Sequence, residues 1–261
     1  ARRRRRTHRP TTPGRATSTS GSATLIMDGV FLDDLQTHAI TLGEDSSNVS
    51  GPVSITNSRI HVNAVGRHGI RMQYMSAGTS TIENNIFDIS ASSSYAINAY
   101  SNLSTTRTVD IRQNTMIGSG NSAINFADGT TSTYNIERNL VEGFNYAIQY
   151  NSATPVHNLR YNFWRTQSHW DGVLGGGTYD TLTENLFDAE DGDPSNFGGT
   201  WGNATVFENY AGGDFRLKQT STYPTLTQAN NLASMEGALT NGGSNEVGAY
   251  GNGGYAPLPT E

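Results

Sequence analysis

The stretch IERNLVEGFNYAIQY, from Ile136 to Tyr150, contains the two short patterns that decide the fold. The first, IERNLV, places an aliphatic residue three positions before a small polar residue and ends on another apolar residue. The second, YAIQY, places a small residue before an aliphatic one. Apolar residues at alternate positions are typical of short β-strands, because successive strand side chains point to opposite faces.

Both patterns recur along the chain in strict alternation. The first occurs as LIMDGV, ITNSRI, IENNIF, IRQNTM, IERNLV, LRYNFW and LTENLF, beginning at Leu25, Ile55, Ile82, Ile111, Ile136, Leu159 and Leu182. Its polar position is occupied by Asp28, Ser58, Asn85, Asn114, Asn139, Asn162 and Asn185, with spacings of 30, 27, 29, 25, 23 and 23 residues. The second occurs as HAITL, HGIRM, YAINA, SAINF and YAIQY, with a weaker DGVLG at Asp171. Two patterns that share one short period predict a solenoid.

We therefore predict an all-β fold, a right-handed single-stranded parallel β-helix of about six coils. The aliphatic residues should point inward and stack coil upon coil as ladders. The recurring Asn should be structural, since its amide can pair with the backbone and with the Asn of adjacent coils. An amphipathic helix does not fit, because the apolar period is 2. A β-propeller does not fit either, because its blades need a longer period.

Composition agrees with a solenoid. Only 34% of the 261 residues are hydrophobic, Gly accounts for 29 residues, and there is no Cys. Disulfides, thiol nucleophiles and cysteine metal ligands are thereby excluded. No apolar run is long enough to span a membrane. The chain begins with Ala and has no recognisable signal peptide, which favours a processed or truncated product.

Charged residues are distributed unevenly along the chain. Seven Arg lie in the first 15 residues, whereas from Thr24 onward ten basic residues face 23 acidic ones, a net charge of −13. An acidic body is not expected to bind nucleic acid. We predict a disordered Arg-rich tail and linker over residues 1–23, β-helix coils over 24–187, and an irregular C-terminal closing region of the same domain over 188–261. The Arg run alone could still bind acidic surfaces.

The repeats resemble the right-handed β-helix of the pectin-lyase-like superfamily over roughly residues 25 to 187. GGDFRL at Gly212 and NEVGAYG at Asn245 are similar to the C-terminal ending of many secreted bacterial and archaeal β-helix proteins, where such segments precede a surface anchor. The resemblance implies a secreted or cell-surface protein. It also implies that an acidic or neutral polysaccharide lies along one strand face, beginning at the turn before that strand.

Equivalent positions of successive coils should form lines on this surface. The turn line, two residues before each inward Ile, comprises His38, His68, Tyr95, Ser122, Tyr146 and Asp171. The outward line, one residue after that Ile, comprises Thr41, Arg71, Asn98, Asn125, Gln149 and Leu174. Aromatic rings can stack on sugars and amides can bind hydroxyls. We predict substrate-binding roles for His38, Gln73, Asn98, Tyr100, Asn125, Tyr146, Gln149, Trp170 and Asp171; the alternative is an ordinary polar strand face.

The segment Arg67-His68-Gly69-Ile70-Arg71 is the strongest catalytic candidate. His can exchange a proton near neutral pH, and Arg can neutralise a uronic carboxylate. The segment resembles the HGI stretch of polygalacturonases, but the matching turns carry Tyr95 and Ser122 instead of that family's aspartates, which disfavours hydrolysis. Alginate lyases and chondroitinase B use a Lys and an Arg. The only Lys here is Lys218, outside the repeats, so His68 or Tyr95 would have to act as the base.

The acidic loop Asp188, Glu190, Asp191 and Asp193 offers the oxygen ligands that Ca²⁺ prefers, although it equally fits a plain acidic turn. Three functions stay open at this point. The first is a uronate-directed polysaccharide lyase acting by β-elimination with Arg67, His68, Arg71 and Tyr95. The second is a non-catalytic glycan-binding adhesin, spike or stalk module. The third is a fragment of a larger carbohydrate-active enzyme.

Overall fold

The computed structural model describes residues 16–18, 24–43, 49–99, 107–126, 132–150, 156–160, 162–165, 168–171, 186–187, 207–209 and 214–217. These residues form 22 β-strands and no helix, so no helix among them could cross a membrane. Three parallel sheets contain the first 20 strands, and each of the first six coils contributes one strand to each sheet.

The three sheets run along the length of the solenoid. The first sheet contains β1 (Ala16–Ser18), β4 (Ile40–Leu42), β7 (Ile70–Met72), β10 (Tyr95–Ala99), β13 (Ser122–Phe126), β16 (Tyr146–Tyr150) and β19 (Ser168–Asp171). The second contains β2 (Leu25–Asp28), β5 (Val53–Thr56), β8 (Gly78–Glu83), β11 (Arg107–Arg112), β14 (Thr133–Glu137) and β17 (Val156–Arg160). The third contains β3 (Phe31–Leu35), β6 (Arg59–Val62), β9 (Ile86–Ile89), β12 (Thr115–Gly118), β15 (Leu140–Glu142), β18 (Phe163–Arg165) and β20 (Leu186–Phe187). A separate antiparallel pair joins β21 (Phe207–Asn209) to β22 (Asp214–Leu217).

The predicted fold class, a parallel β-solenoid, is confirmed. Four full turns lie between β4 and β16, and further strands bring the sheets to seven, six and seven strands, against about six coils predicted. β1 lies inside the segment predicted to be a disordered tail, where it pairs with β4. The DFRL part of the C-terminal motif forms β22.

The core consists of the predicted aliphatic ladders. Every inward Ile of the second pattern pairs in register with the next, and all are at most 1% exposed: Ile40, Ile70, Ile97, Ile124 and Ile148. The second sheet contributes an equivalent ladder of Ile55, Ile82, Ile111, Ile136 and Leu159. Burial of one such side chain stabilises the fold by about 1.5–3 kcal/mol. A few inward residues per coil therefore suffice, and the low hydrophobic fraction of the sequence is explained.

The turn between the second and third sheets combines a left-handed residue with the predicted polar ladder. The left-handed position is held by Gly29, Asn57, Asn84, Gln113 and Arg138, with φ between +50° and +63°. Ser58 follows Asn57, whereas Asn follows Asn84, Gln113 and Arg138. Asn162 continues this row, and we call Asn85, Asn114, Asn139 and Asn162 the asparagine ladder. Each Nδ2 donates to the Oδ1 of the following ladder residue at 3.0 Å, from Asn85 through to Asn162. The structural role predicted for these residues is confirmed.

The predicted register of the first coil is wrong by two residues. Asp28 pairs with Thr56 and lies outside the ladder, where its Oδ1 accepts from Thr56 Oγ1 at 2.9 Å. Val30 holds the ladder position, and its N–H donates to Ser58 Oγ at 3.1 Å. The pattern was ambiguous because a slip of two residues leaves Leu25 and Met27 on the same face of the strand.

Candidate functional site

The structure brings the first three residues of the turn line into one stack. His38 and His68 lie in the turns before β4 and β7, and Tyr95 begins β10. The rings of His38 and His68 have centroids 4.7 Å apart, and those of His68 and Tyr95 are 4.8 Å apart. These separations match the spacing of adjacent β-strands, about 4.8 Å. The stack therefore follows directly from the register of the coils.

His68 is the most enclosed member of the stack. It is 8% exposed, and both faces of its ring are covered by neighbouring rings. Burial lowers the pKa of His68 to about 3, and the positive charges of His38 and Arg71 act in the same direction. The ring is therefore neutral at physiological pH. Proton transfer by His68 near neutral pH, which made it a catalytic candidate, finds no support in this environment.

Two arginines border the stack. Arg67 is exposed in the turn, and Arg71 is half-buried in β7, in register with Thr41 and Asn98. The charges of both act on His68. This part of an otherwise acidic body therefore carries positive charge next to aromatic rings. Such an environment favours an anionic ligand.

The outward line is less accessible than predicted. We expected an exposed strip, but Asn98 is 4%, Asn125 2% and Gln149 9% exposed. Their amide groups form hydrogen bonds to other amide side chains. Asn125 Nδ2 donates to Asn98 Oδ1 at 2.9 Å, and Asn121 Nδ2 donates to Gln149 Oε1 at 2.8 Å. The predicted exposure of these three amides is wrong, because each is buried and bonds to an amide side chain of the adjacent coil.

The last members of the predicted lines are also displaced. Tyr146 pairs with Ser168, Ile148 with Trp170 and Gln149 with Asp171. Asp171 thus continues the outward line and not the turn line, and Trp170 takes the register position of the inward Ile. The pattern search missed this coil because it required an aliphatic residue where β19 has Trp170. Leu174 and Tyr100 lie outside the described residues.

The accessible part of the predicted site is consequently smaller than the sequence indicated. Its members are half-buried or exposed residues around the stack: His38, Arg67, Arg71, Gln73, Tyr95 and Tyr146. The proposed calcium ligands Asp188, Glu190, Asp191 and Asp193 fall outside the described residues. Within the described ranges, no group of three or more His, Asp or Glu side chains is placed to hold a metal ion.

A group of titratable residues on the outer face of the third sheet escaped the sequence analysis. His61 Nδ1 lies 2.9 Å from Asp33 Oδ1, and His61 is in register with Asp88 of the next coil. Asp88 in turn pairs with Arg59 at 3.5 Å. Stacking the third-sheet strands by the same period would have revealed this row. The search for function considered only the first sheet.

Arg107 is a second residue that the sequence analysis missed. It is fully buried, and burial lowers its pKa to about 10. Its Nε donates to Ser80 Oγ at 2.9 Å. Its Nη atoms donate to the carbonyl oxygens of Ser76 and Gly51 at 3.0 Å, of Thr79 at 2.9 Å and of Val49 at 3.4 Å. Arg107 thus ties segments of three coils together, which is a structural role.

The fold and the site define a parallel β-solenoid with a cationic, aromatic-lined edge. Comparison with known protein families, with curated proteins and with solved structures finds no match to this chain. Its function must therefore be argued from its own residues.

Proposed function

We propose that the protein binds an acidic polysaccharide outside the cell, along the edge where the turn line meets the first sheet. The observation that carries this proposal is the stack of His38, His68 and Tyr95 bordered by Arg67 and Arg71. Arg can pair bidentately with a carboxylate or sulfate group of a sugar. The resemblance to pectin-lyase-like proteins supports the same ligand class and an extracellular location.

Tyr95 and Tyr146 are the residues best suited to stack on sugar rings. Both are half-buried, whereas His68 has a ring on each face. From His38 to Tyr146 the turn line crosses four coil spacings, about 19 Å in all. A strip of this length can contact several sugars of an extended chain. Length and charge together therefore favour a polymer over a single small sugar.

Binding without catalysis is the function that the geometry favours. A β-elimination needs a base that can take the α-proton near neutral pH. His68, the first candidate for that base, is buried and its pKa is about 3. The cationic pair and the strip of rings require no such group. A non-catalytic adhesin or stalk module fits these features.

A uronate-directed lyase is the second candidate, and the position of Arg71 favours it. Arg71 lies in register with Asn98, three residues after Tyr95 at the start of the same strand, β10. Arg71 could neutralise the uronic carboxylate while the Tyr95 phenol serves as base or acid. This mechanism dispenses with His68. Replacement of His68 would then leave turnover largely intact, whereas Tyr95→Phe would abolish it.

One set of polysaccharides distinguishes binding without catalysis from lyase activity. The protein is titrated with alginate, pectate, glycosaminoglycans and a neutral polysaccharide, and binding is followed by calorimetry and turnover by the absorbance of unsaturated product. We expect binding to the acidic polymers that weakens with added salt, because salt screens exposed charges. Arg67→Ala and Arg71→Ala should each weaken it. Arg112→Ala, which removes an equal charge from the second sheet, is the matched control and should not. Absence of binding throughout the panel would refute the proposal.

A further inference from the structure

A hydrogen bond joins the two histidines of the stack, and the proposed binding of a glycan does not depend on it. The backbone N–H of His68 donates to Nδ1 of His38 at 3.1 Å, across 30 residues of sequence. A ring nitrogen that accepts a hydrogen bond carries no proton. Neutral His38 therefore has its proton on Nε2. The contact between the two turns requires His38 to be uncharged.

Positive charges lie close to the ring against which His38 packs. The ring of His38 lies against His68, and Arg67 and Arg71 belong to the turn and strand on either side of that residue. Burial keeps the ring of His68 uncharged well below neutral pH.

We propose that His38 is an acid-sensitive latch that holds the turn before β4 to the turn before β7 and controls the affinity of this edge for its glycan. Uptake of a proton from solvent at Nδ1 converts the acceptor into a donor, so the bond to the His68 N–H is lost. The imidazolium then lies against the ring of His68, where the charges of Arg67 and Arg71 also act. The backbone bonds from Ala39 N–H to His68 O at 3.0 Å and from Ile40 N–H to Gly69 O at 2.9 Å remain, so the loosening is confined to the His68 N–H and to the ring stack that presents Tyr95. The effect on affinity rests on the proposed function, whereas the opening of the latch does not.

Hydrogen exchange of the His68 amide reports on the latch without any ligand. We expect its protection, corrected for the intrinsic effect of pH, to fall about tenfold or more between about pH 7 and about pH 5. His38→Asn places an amide oxygen near the position of Nδ1, and this acceptor does not titrate. Protection in His38→Asn should therefore be equal at both pH values. His61→Asn, which removes a histidine from the third sheet, is the matched control and should behave as the unmodified protein.

Two results would overturn the latch. One is equal protection of the His68 amide in the unmodified protein at both pH values. The other is an equal loss of protection in His38→Asn. If His38→Asn does not fold, His38→Ala serves instead, because it lacks the acceptor and should show low protection at either pH.

The effect of the latch on glycan binding is tested by a separate measurement of affinity. Protonation of His38 also adds a positive charge that attracts a polyanion, so affinity is compared at a salt concentration that screens this charge. Under that condition the affinity for an acidic polysaccharide such as pectate should fall on acidification in the unmodified protein, and the ratio of the two affinities should approach one in His38→Asn. Equal affinities at both pH values, with a latch that opens, would overturn the control of binding. Failure to bind any acidic polysaccharide of the panel at either pH, with a latch that opens, would refute the proposed function and leave the latch itself standing.

Discussion

Asn114 lies in the middle of the asparagine ladder, and its replacement by Ala tests whether the ladder stabilises the solenoid. Its Oδ1 accepts from both the backbone N and the Nδ2 of Asn85 at 3.0 Å. Its Nδ2 donates to the carbonyl oxygen of Ile82 at 2.9 Å and to Asn139 Oδ1 at 3.0 Å. The side chain is fully buried, so water cannot replace these partners in the folded protein.

The cost of Asn114→Ala can be worked out from the groups left behind. The Asn85 Nδ2 still donates to the carbonyl of Ile55, and Asn139 Oδ1 still accepts the Asn114 backbone N–H. The Asn85 backbone N–H loses its acceptor, and a buried unpaired donor costs about 1–3 kcal/mol. The other three bonds are worth about 0.5–1.5 kcal/mol each. We expect the free energy of unfolding to fall by about 4 kcal/mol.

Urea unfolding followed by circular dichroism measures this loss. Asn135→Ala is the matched control, because Asn135 bonds Asp110 at 2.6 Å and Asn158 at 2.8 Å on the half-exposed outer face of the second sheet. Water can serve those partners, and a loss below about 1 kcal/mol is expected. Asn114→Ser should cost less than Asn114→Ala, since Ser58 holds the equivalent position in an earlier coil. Equal losses for the two alanine variants would refute the reasoning.

Three further predictions concern stability. Gly43→Ala should destabilise by several kcal/mol, because at φ +70° a Cβ would clash with the carbonyl oxygen of Tyr74. Gly66→Ala, at φ +68° with nothing within 4 Å, should cost only about 1–2 kcal/mol. Comparison of the two variants by thermal unfolding isolates the cost of the clash. Arg107→Lys should lose about 3 kcal/mol in urea unfolding, since an ammonium with three donors replaces a guanidinium that makes five bonds. Because the folded-state pKa of His68 lies below its unfolded value of about 6.5, its contribution is complete above that pH and is lost as the pH falls toward 3. His68→Phe should therefore remove about 3 kcal/mol of the acid destabilisation measured between pH 7 and pH 4; an unchanged pH profile would contradict this.

The fold could be predicted because one period places the same residue types at the same positions of every coil. Ile97 and Asn114 needed only their spacing to be assigned to the core and to a turn. The register was predicted wrongly in the first coil and in the coil that contains β19, and both errors have one cause. Val30 and Trp170 differ in residue type from the equivalent positions of the other coils. The sequence pattern is defined by residue type, whereas the register of the strands depends on spacing along the chain.

The site was harder to predict, because strand alternation tells which way a side chain points but not whether that face is covered. Asn98 and Asn125 point outward as predicted, yet both are buried. The chemistry of His68 depends likewise on rings supplied from 30 residues before and 27 residues after it. The repeat places His38, His68 and Tyr95 in one line. Only the three-dimensional structure shows that the rings enclose the middle one and that burial lowers its pKa.

The regularity that builds the fold therefore also limits what this edge can do. Catalysis requires a titratable group that differs from its neighbours and meets the substrate. On the turn line the imidazole of His38 accepts the backbone hydrogen of His68, and the imidazole of His68 lies between two rings. Binding needs only accessible rings and charges in register, which Arg67, Arg71 and Tyr95 supply. If turnover of a uronate polymer is nevertheless found, loss of activity in Tyr95→Phe but not in His68→Phe would identify the phenol as the reacting group.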